Sequence, residues 1–345
     1  MPLRLPFTWS DACLRHDPAG EVWVGVRTPA TEVAARAETI RAALLEAGAR
    51  QVDAEPHDLS AILAVHDPEL VAYLRGVWDE WAAADLPGDR VVPYIFPHPA
   101  LTGGRPAAVP AAVWARAGSF TYDTMTLVGP GTWEAARAAA DAALTAVELV
   151  AAGEPAAYAC CRPPGHHALR AAFGGSCYLN NAAIAAEALR TRLGAPVAVV
   201  DIDAHHGNGT QELFAGRADV RTASVHVDPA AGWFPHFVGF AGESGEANLN
   251  LPLPPASGDG AWLAAVREAA AFAAGSAALV VALGVDAAAA DPESPLEVTE
   301  GGYREAGRIL GALGLPTVVV QEGGYDLATL GSLVVAALEG IETAA

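Results

Sequence analysis

Several short, mostly apolar runs punctuate the chain: Ala157–Cys161, Pro196–Val200, Val220–Val225, Leu279–Leu283 and Thr317–Val320. They are too short for helices, and a continuous apolar run of this length is what a strand covered on both faces requires. Between them lie longer Ala/Leu/Arg segments with helical character, at Thr132–Ala152, Ala182–Leu193, Ala261–Ala274 and Tyr303–Leu313. Strand alternating with helix predicts parallel pairing, with helices on both faces of one sheet. There is no internal repeat and no strong linker. The Pro- and Gly-bearing stretch Leu86–Pro110 reads as an ordered surface insertion rather than a domain boundary, so residues 1–345 are expected to form a single α/β domain.

The strand exits matter more than the strands. Cys161 runs into RPPGHHA, Val200 into DIDAHHGNGTQ, Val225 into His226, Leu283 into GVDAAAADP and Val320 into QEGGY. Open parallel sheets build their sites outside the carboxyl ends of strands. Five polar clusters on that edge predict one cleft.

Within DIDAHHGN, alternation places Asp201, Asp203 and His205 on one side of an extended segment. Carboxylate oxygen and imidazole nitrogen are both zinc donors. A lone Asp-x-His is more often a strand-end hydrogen-bonded pair; Asp286, at a different strand exit, shifts the balance toward a metal. Two Asp and one His leave positions open for water and substrate, as a catalytic zinc requires. His166-His167 follows the rigid Pro163-Pro164-Gly165 turn. Beside a metal, one neutral imidazole can take a proton from water while the other orients it and stabilises charge. Each ring needs a partner to fix its tautomer, and Asp201 and Asn208 are the candidates. Tyr325 ends a Gly-Gly turn, where its phenol can donate to an oxyanion; a packing tyrosine is the plainer reading of that turn alone.

Composition narrows the chemistry further. Twenty basic against 40 acidic residues give a net charge of −20, which lacks the basic face that nucleic acid needs. Surface solubility explains the charge more simply than a cationic substrate, with which it is also compatible. Every basic residue is arginine, so Schiff-base, pyridoxal-anchoring and P-loop lysine chemistries are excluded. Cys13, Cys160, Cys161 and Cys177 lack C-x-x-C spacing and read as buried free thiols, which fits a reducing, cytoplasmic setting. No apolar run is long enough to span a membrane.

In this order, RPPGHHA, CYLNNAA, DIDAHHGNGTQ, Ser224-x-His226, GVDAAAADP and EGGY resemble the arginase–deacetylase superfamily. The closer resemblance is to its bacterial class II histone-deacetylase-like branch, which includes acetylpolyamine amidohydrolases. It runs from about Trp9 to about Gly340. The resemblance implies one α/β domain with a parallel sheet near eight strands, acting on a small acylated amine such as an acetylpolyamine or acetyl-lysine. It implies Asp203, His205 and Asp286 as zinc ligands and His167 as general base, paired with Asn208. His166, paired with Asp201, is implied as electrostatic partner and acid, and Tyr325 polarises the scissile carbonyl. A structural K+ or Na+ is implied at the carbonyls of Asp201, Asp203, His205 and Val225 with the Ser224 hydroxyl. A second such ion matches Phe214, Arg217 and Val220. Arg36 matches a product-channel arginine and Glu21 a substrate-binding acid. The Leu86–Pro110 insertion resembles a loop through which acetylpolyamine amidohydrolases form homodimers.

Two departures qualify the resemblance. Where the family carries an aromatic after two glycines, this chain has Gly174-Gly175-Ser176-Cys177, and the ring of Phe234 is expected to lose its opposite wall. A widened channel is the expected consequence. The Phe120–Val128 stretch lacks the acids with which polyamine-specific members hold a distal ammonium around this point. An arginase-like dimanganese enzyme would want further carboxylates where Gly207 and Ala288 stand. A non-catalytic module of the same fold would be expected to have lost a ligand, a histidine or the tyrosine.

Overall fold

The computed structural model describes residues 2–344. Among the described residues there are ten strands: β1 (Pro6–Trp9), β2 (Glu21–Trp23), β3 (Val26–Thr28), β4 (Arg50–Asp53), β5 (Ala156–Ala159), β6 (Val197–Asp201), β7 (Val220–Val227), β8 (Asn248–Leu253), β9 (Leu279–Leu283) and β10 (Thr317–Gln321). Eight of them form a parallel sheet in the order β4-β1-β5-β10-β9-β6-β7-β8; β2 and β3 make a separate antiparallel hairpin.

Every residue of β5, β6, β9 and β10 is buried, the signature of a sheet covered on both faces. Alternation along β9 shows how. Val280 and Ala282 point into one core, with the Ala-rich helix Thr132–Ala151 and helix Asn181–Leu193. Leu279, Val281 and Leu283 point into the other, against helices Ala34–Glu46, Asp259–Ala273, Glu300–Gly311 and Leu330–Ala344. Helix Asn181–Leu193 shows its local logic: Asn180 Oδ1 caps the Ala183 N–H at 2.9 Å, and Gly194 ends it in the left-handed conformation.

The five predicted strands and four predicted helices are all present, with two boundary corrections. Cys160 and Cys161 lie beyond β5, where the Cys161 N–H has already turned back to the Ala159 carbonyl at 2.8 Å. β7 runs on to Val227 and takes His226 inside it, so the expected exit after Val225 does not exist. The sequence reading missed the edge strands β4 (RQVD) and β8 (NLNLPL), which have little or no continuous apolar run. It also missed the β2–β3 hairpin and the buried interior strand β1, whose four residues PFTW are too short a run to stand out. Residues 86–110 form an irregular excursion with one short helix, Pro99–Thr102. It is pinned by the Val91–Val128 bridge and by Arg90, whose guanidinium reaches Asp17. Among the described residues, no helix is long and apolar enough to cross a membrane.

Candidate active site

The chain leaving β6 folds so that backbone donors aim its side chains. Asp201 Oδ1 accepts the Asp203 N–H (3.1 Å), and Asp203 Oδ1 accepts the His205 N–H (2.8 Å). Asp286, beyond β9, accepts the Ala204 N–H at 2.8 Å, and Asp203 Oδ2 accepts the Gly323 N–H at 2.7 Å. Donor atoms of Asp203, His205 and Asp286 consequently lie within 4.8 Å of one another. His205 Nδ1 stands 3.2 Å from Asp203 Oδ1 and 3.0 Å from Asp286 Oδ2. A side chain on Gly323 would begin 2.4 Å from Asp286 Oδ2 and 2.5 Å from Asp203 Oδ2, so only bare backbone admits the two carboxylates there. Two adjacent buried carboxylates are costly without a cation. Burial, and then Asp203, push the Asp286 carboxyl up to about 7. The donor set, two carboxylates and one imidazole, fits a catalytic zinc.

The His166-His167 turn is held from below. Glu322 Oε2, just past β10, accepts the N–H groups of Gly165 (2.6 Å) and His166 (3.0 Å). His166 Nδ1 meets Asp201 Oδ2 at 2.9 Å, His167 Nδ1 meets Asn208 Oδ1 at 2.6 Å, and the two rings are 4.0 Å apart. Their partners set them apart electrically. Burial alone would lower the His166 pKa, but Asp203 and Asp201 outweigh it and raise it to about 10. Burial drives His167 well below its ordinary value, and the charges of His166 and His205 add to the effect. With Nδ1–H spent on Asn208, neutral His167 keeps its Nε2 lone pair free.

Tyr325 follows the Gly323-Gly324 turn, with its N–H on Asp291 Oδ2 at 2.6 Å. The Arg36 guanidinium lies over its ring at 4.6 Å, and no described residue takes a hydrogen bond from its hydroxyl. Buried Arg36 also donates to Glu32 (2.9 Å) and to the carbonyls of Gly324 (2.6 Å) and Glu322 (2.7 Å). A cleft of about 1110 Å³ opens above His205, lined by Glu21, Tyr122, Asp123, Phe234 and Glu293 among others. Burial, then Glu293, raise the Glu21 carboxyl to about 7.

The histone deacetylase domain family matches residues 30–341. The chain belongs to that family. Its chemistry is amide hydrolysis. The chain is 40% identical over 331 residues to an acetylpolyamine amidohydrolase of Mycoplana ramosa, covering 93% of this chain and 95% of that protein. Against acetylpolyamine amidohydrolase 1 of Pseudomonas aeruginosa it is 39% identical, covering 98% and 99% of the two chains. The crystal structure of an acetylpolyamine aminohydrolase from Burkholderia pseudomallei superposes with a TM-score of 0.91 at 39% identity, covering 99% of both chains.

Other residues singled out in this deacetylase domain fall into less uniform places. Ser224 Oγ is shared between His226 Nδ1 (2.9 Å) and the Gly207 N–H (3.4 Å), while Val225 is buried within β7. His226 does not reach the cleft: its Nε2 faces the Gly239 carbonyl at 2.7 Å. Phe214 accepts the Arg217 N–H through its carbonyl (3.0 Å), and Val220 starts β7. Gly175 packs against His167 and Phe234. Ser176 and Tyr325 are not on the cleft lining, which Tyr122 and Phe234 share. The expectation of no acid within Phe120–Val128 overlooked Asp123. Its carboxylate does reach the cleft, but it is occupied by the N–H groups of Met125 (2.9 Å), Thr126 (2.8 Å) and Gly175 (2.6 Å). Glu322, Tyr122 and Glu293 were missed as site residues. Glu322 was legible as the first residue of EGGY and Glu293 as an acid just past Asp286; Tyr122 carried no local signal.

Proposed function

We propose that this deacetylase-domain chain is a zinc-dependent amidohydrolase that removes the acetyl group from an N-acetylated, cationic amine of the acetylpolyamine kind. The observation that carries the reading is the convergence of Asp203, His205 and Asp286 beside a histidine pair whose rings bond to unlike partners, the Asp201 carboxylate and the Asn208 amide oxygen. Zinc held by those three residues supplies Lewis acidity toward a carbonyl oxygen and toward water. His167, neutral with Nε2 free, takes the proton of the attacking water, and Asn208 keeps it in that tautomer. His166, bonded to the Asp201 carboxylate, stabilises the developing charge and donates to the departing amine. The Tyr325 hydroxyl, uncommitted within the chain, donates to the carbonyl oxygen as negative charge grows there.

Glu21 and Glu293 on the cleft wall favour a substrate with a distal ammonium, and the relatives' names point to the same class. Arg36, behind Tyr325, is positioned to hold that phenol and to meet an acetate product. A K+ or Na+ on the carbonyls of Asp201, Asp203, His205 and Val225 with Ser224 Oγ, and a second on Phe214, Arg217 and Val220, would stiffen the loops after β6. Homodimerisation is supported by exposed apolar side chains along the insertion and hairpin, namely Tyr94, Leu101, Trp23 and Val24. A dimanganese reading is disfavoured because any side chain at Gly207 would begin 2.2 Å from Asp201 Oδ2.

A deacetylation panel tests the reading. Acetylputrescine and acetylspermidine should be hydrolysed with kcat/KM at least tenfold above an acetyl-lysine peptide. No release of acetate from any of them, by zinc-replete protein, would sink it.

A further inference from the structure

We infer that Tyr122 is a specificity-determining residue: with Phe234 it forms a two-sided aromatic slot over His167 that admits an unbranched chain and rejects a branched one. The inference deepens the deacylase reading above and rests on it for the identity of the substrate. The two rings are nearly parallel, 18° between planes, with centroids 6.4 Å apart. Carbon atoms pack best at roughly 3.5–4.0 Å, so one layer of methylenes between two aromatic faces needs about 7–8 Å. With centroids 6.4 Å apart, the rings have to part only slightly for a straight chain and leave no room for a branch. The floor of the slot is the imidazole of His167, edge-on to Phe234 at 4.8 Å.

Tyr122 is not a loosely placed surface ring. The Phe173 N–H reaches the Phe120 carbonyl (2.8 Å) and the Tyr122 N–H reaches the Phe173 carbonyl (3.2 Å), so residues 120–122 run alongside the glycine turn. Asp123 Oδ2 accepts the Gly175 N–H at 2.6 Å, and Thr126 Oγ1 accepts the Ser176 N–H at 2.9 Å. At its far end the Tyr122 hydroxyl donates to the His167 carbonyl at 2.9 Å. The ring packs against Gly174, whose Cβ, if present, would sit 2.4 Å from Tyr122 Cζ. The turn that carries Ser176 in place of an aromatic therefore receives its wall from an earlier segment. The widened channel expected from Ser176 is not what these two rings make.

Calorimetric binding to the zinc-loaded protein tests the slot without relying on turnover. The probes are octanehydroxamic acid and its 3,3-dimethyl analogue. Wild type and Tyr122→Phe should prefer the straight chain by tenfold or more. Tyr122→Ala should lose most of that preference, and adding Ser176→Phe to it should bring the preference back. Should Tyr122→Ala fail to fold, Ser176→Phe alone serves: crowding a third ring into the slot should weaken straight-chain binding by tenfold or more. An unchanged preference in Tyr122→Ala, or unchanged binding in Ser176→Phe, overturns the inference. Wild type that shows the binding preference but releases no acetate from acetylated amines would fail the deacylase reading and keep the slot.

Discussion

The carboxylate of Glu322 reaches under the His166-His167 turn and accepts the backbone N–H of His166 at 3.0 Å, while the same oxygen takes the Gly165 N–H at 2.6 Å. Both donors are fully buried, and leaving a buried donor unsatisfied costs roughly 1–3 kcal/mol. Glu322→Ala should lower unfolding free energy by about 2–5 kcal/mol in urea titration and depress kcat, because the histidine pair loses its support. Glu322→Gln, which keeps an acceptor, should lose less of both. Identical urea midpoints for wild type and Glu322→Ala would show that the clamp is idle.

Tyr325 presents the opposite case. Its hydroxyl bonds to no described residue, so removing it should leave the fold almost untouched. Tyr325→Phe should melt within a degree or two of wild type, yet lower kcat by roughly 10²-fold or more, the usual cost of losing an oxyanion donor. Turnover close to wild type would remove Tyr325 from the reaction.

The metal reading predicts stoichiometry. Protein stripped with a chelator should lose acetate release, and zinc should restore it with an endpoint near one equivalent per chain. Asp286→Ala removes one of three converging donors, and elemental analysis should find it with little zinc. An endpoint near two equivalents, with manganese preferred, would favour the dinuclear alternative.

Acid stability should follow a residue outside the reaction. His66 is completely buried, its Nε2 accepting the Asn180 N–H (2.8 Å) and its Nδ1–H donating to the Leu169 carbonyl (2.9 Å). Burial lowers its pKa from 6.5 to about 4, so the unfolded chain takes the proton first as pH falls. Stability from this group is therefore complete above about pH 6.5 and lost as pH drops toward 4, by about 3 kcal/mol in all. Urea midpoints at pH 7, 5.5 and 4.5 measure the slope. His66→Gln should make it shallower by that share, the rest coming from His16, His206 and His226, which burial lowers likewise. An equally steep slope in that variant would assign the acid sensitivity wholly elsewhere.

Much of this molecule was legible because its central strands are fully buried and each empties into the polar residues it positions. β5, β6, β9 and β10 announce themselves as apolar runs, and Asp203, His205, Asp286 and His166-His167 stand just past them. Edge strands such as β4 need only one covered side and so carry a weaker pattern. His226 was misplaced because a strand's end is set by its neighbour, and β7 continues to Val227 alongside Leu253 of β8. Tyr122 was invisible for a different reason. Its role comes from lying against Gly174, a contact between segments that no local spacing encodes.

The sheet order also bears on biosynthesis. β10 follows every other strand in the chain, yet it lies between β5 and β9 at the middle of the sheet. β6 and β9 pair directly, so a growing chain can bring the Asp203 loop and Asp286 together before β10 exists; the histidine turn after β5 has no such direct route to them. Until residues 317–325 emerge and insert, β5 and β9 have no common neighbour, and the His166-His167 turn has no strand to hold it beside the Asp203, His205 and Asp286 cluster. Completion of the sheet is thereby what joins the histidine pair and Tyr325 to the metal-ligand candidates.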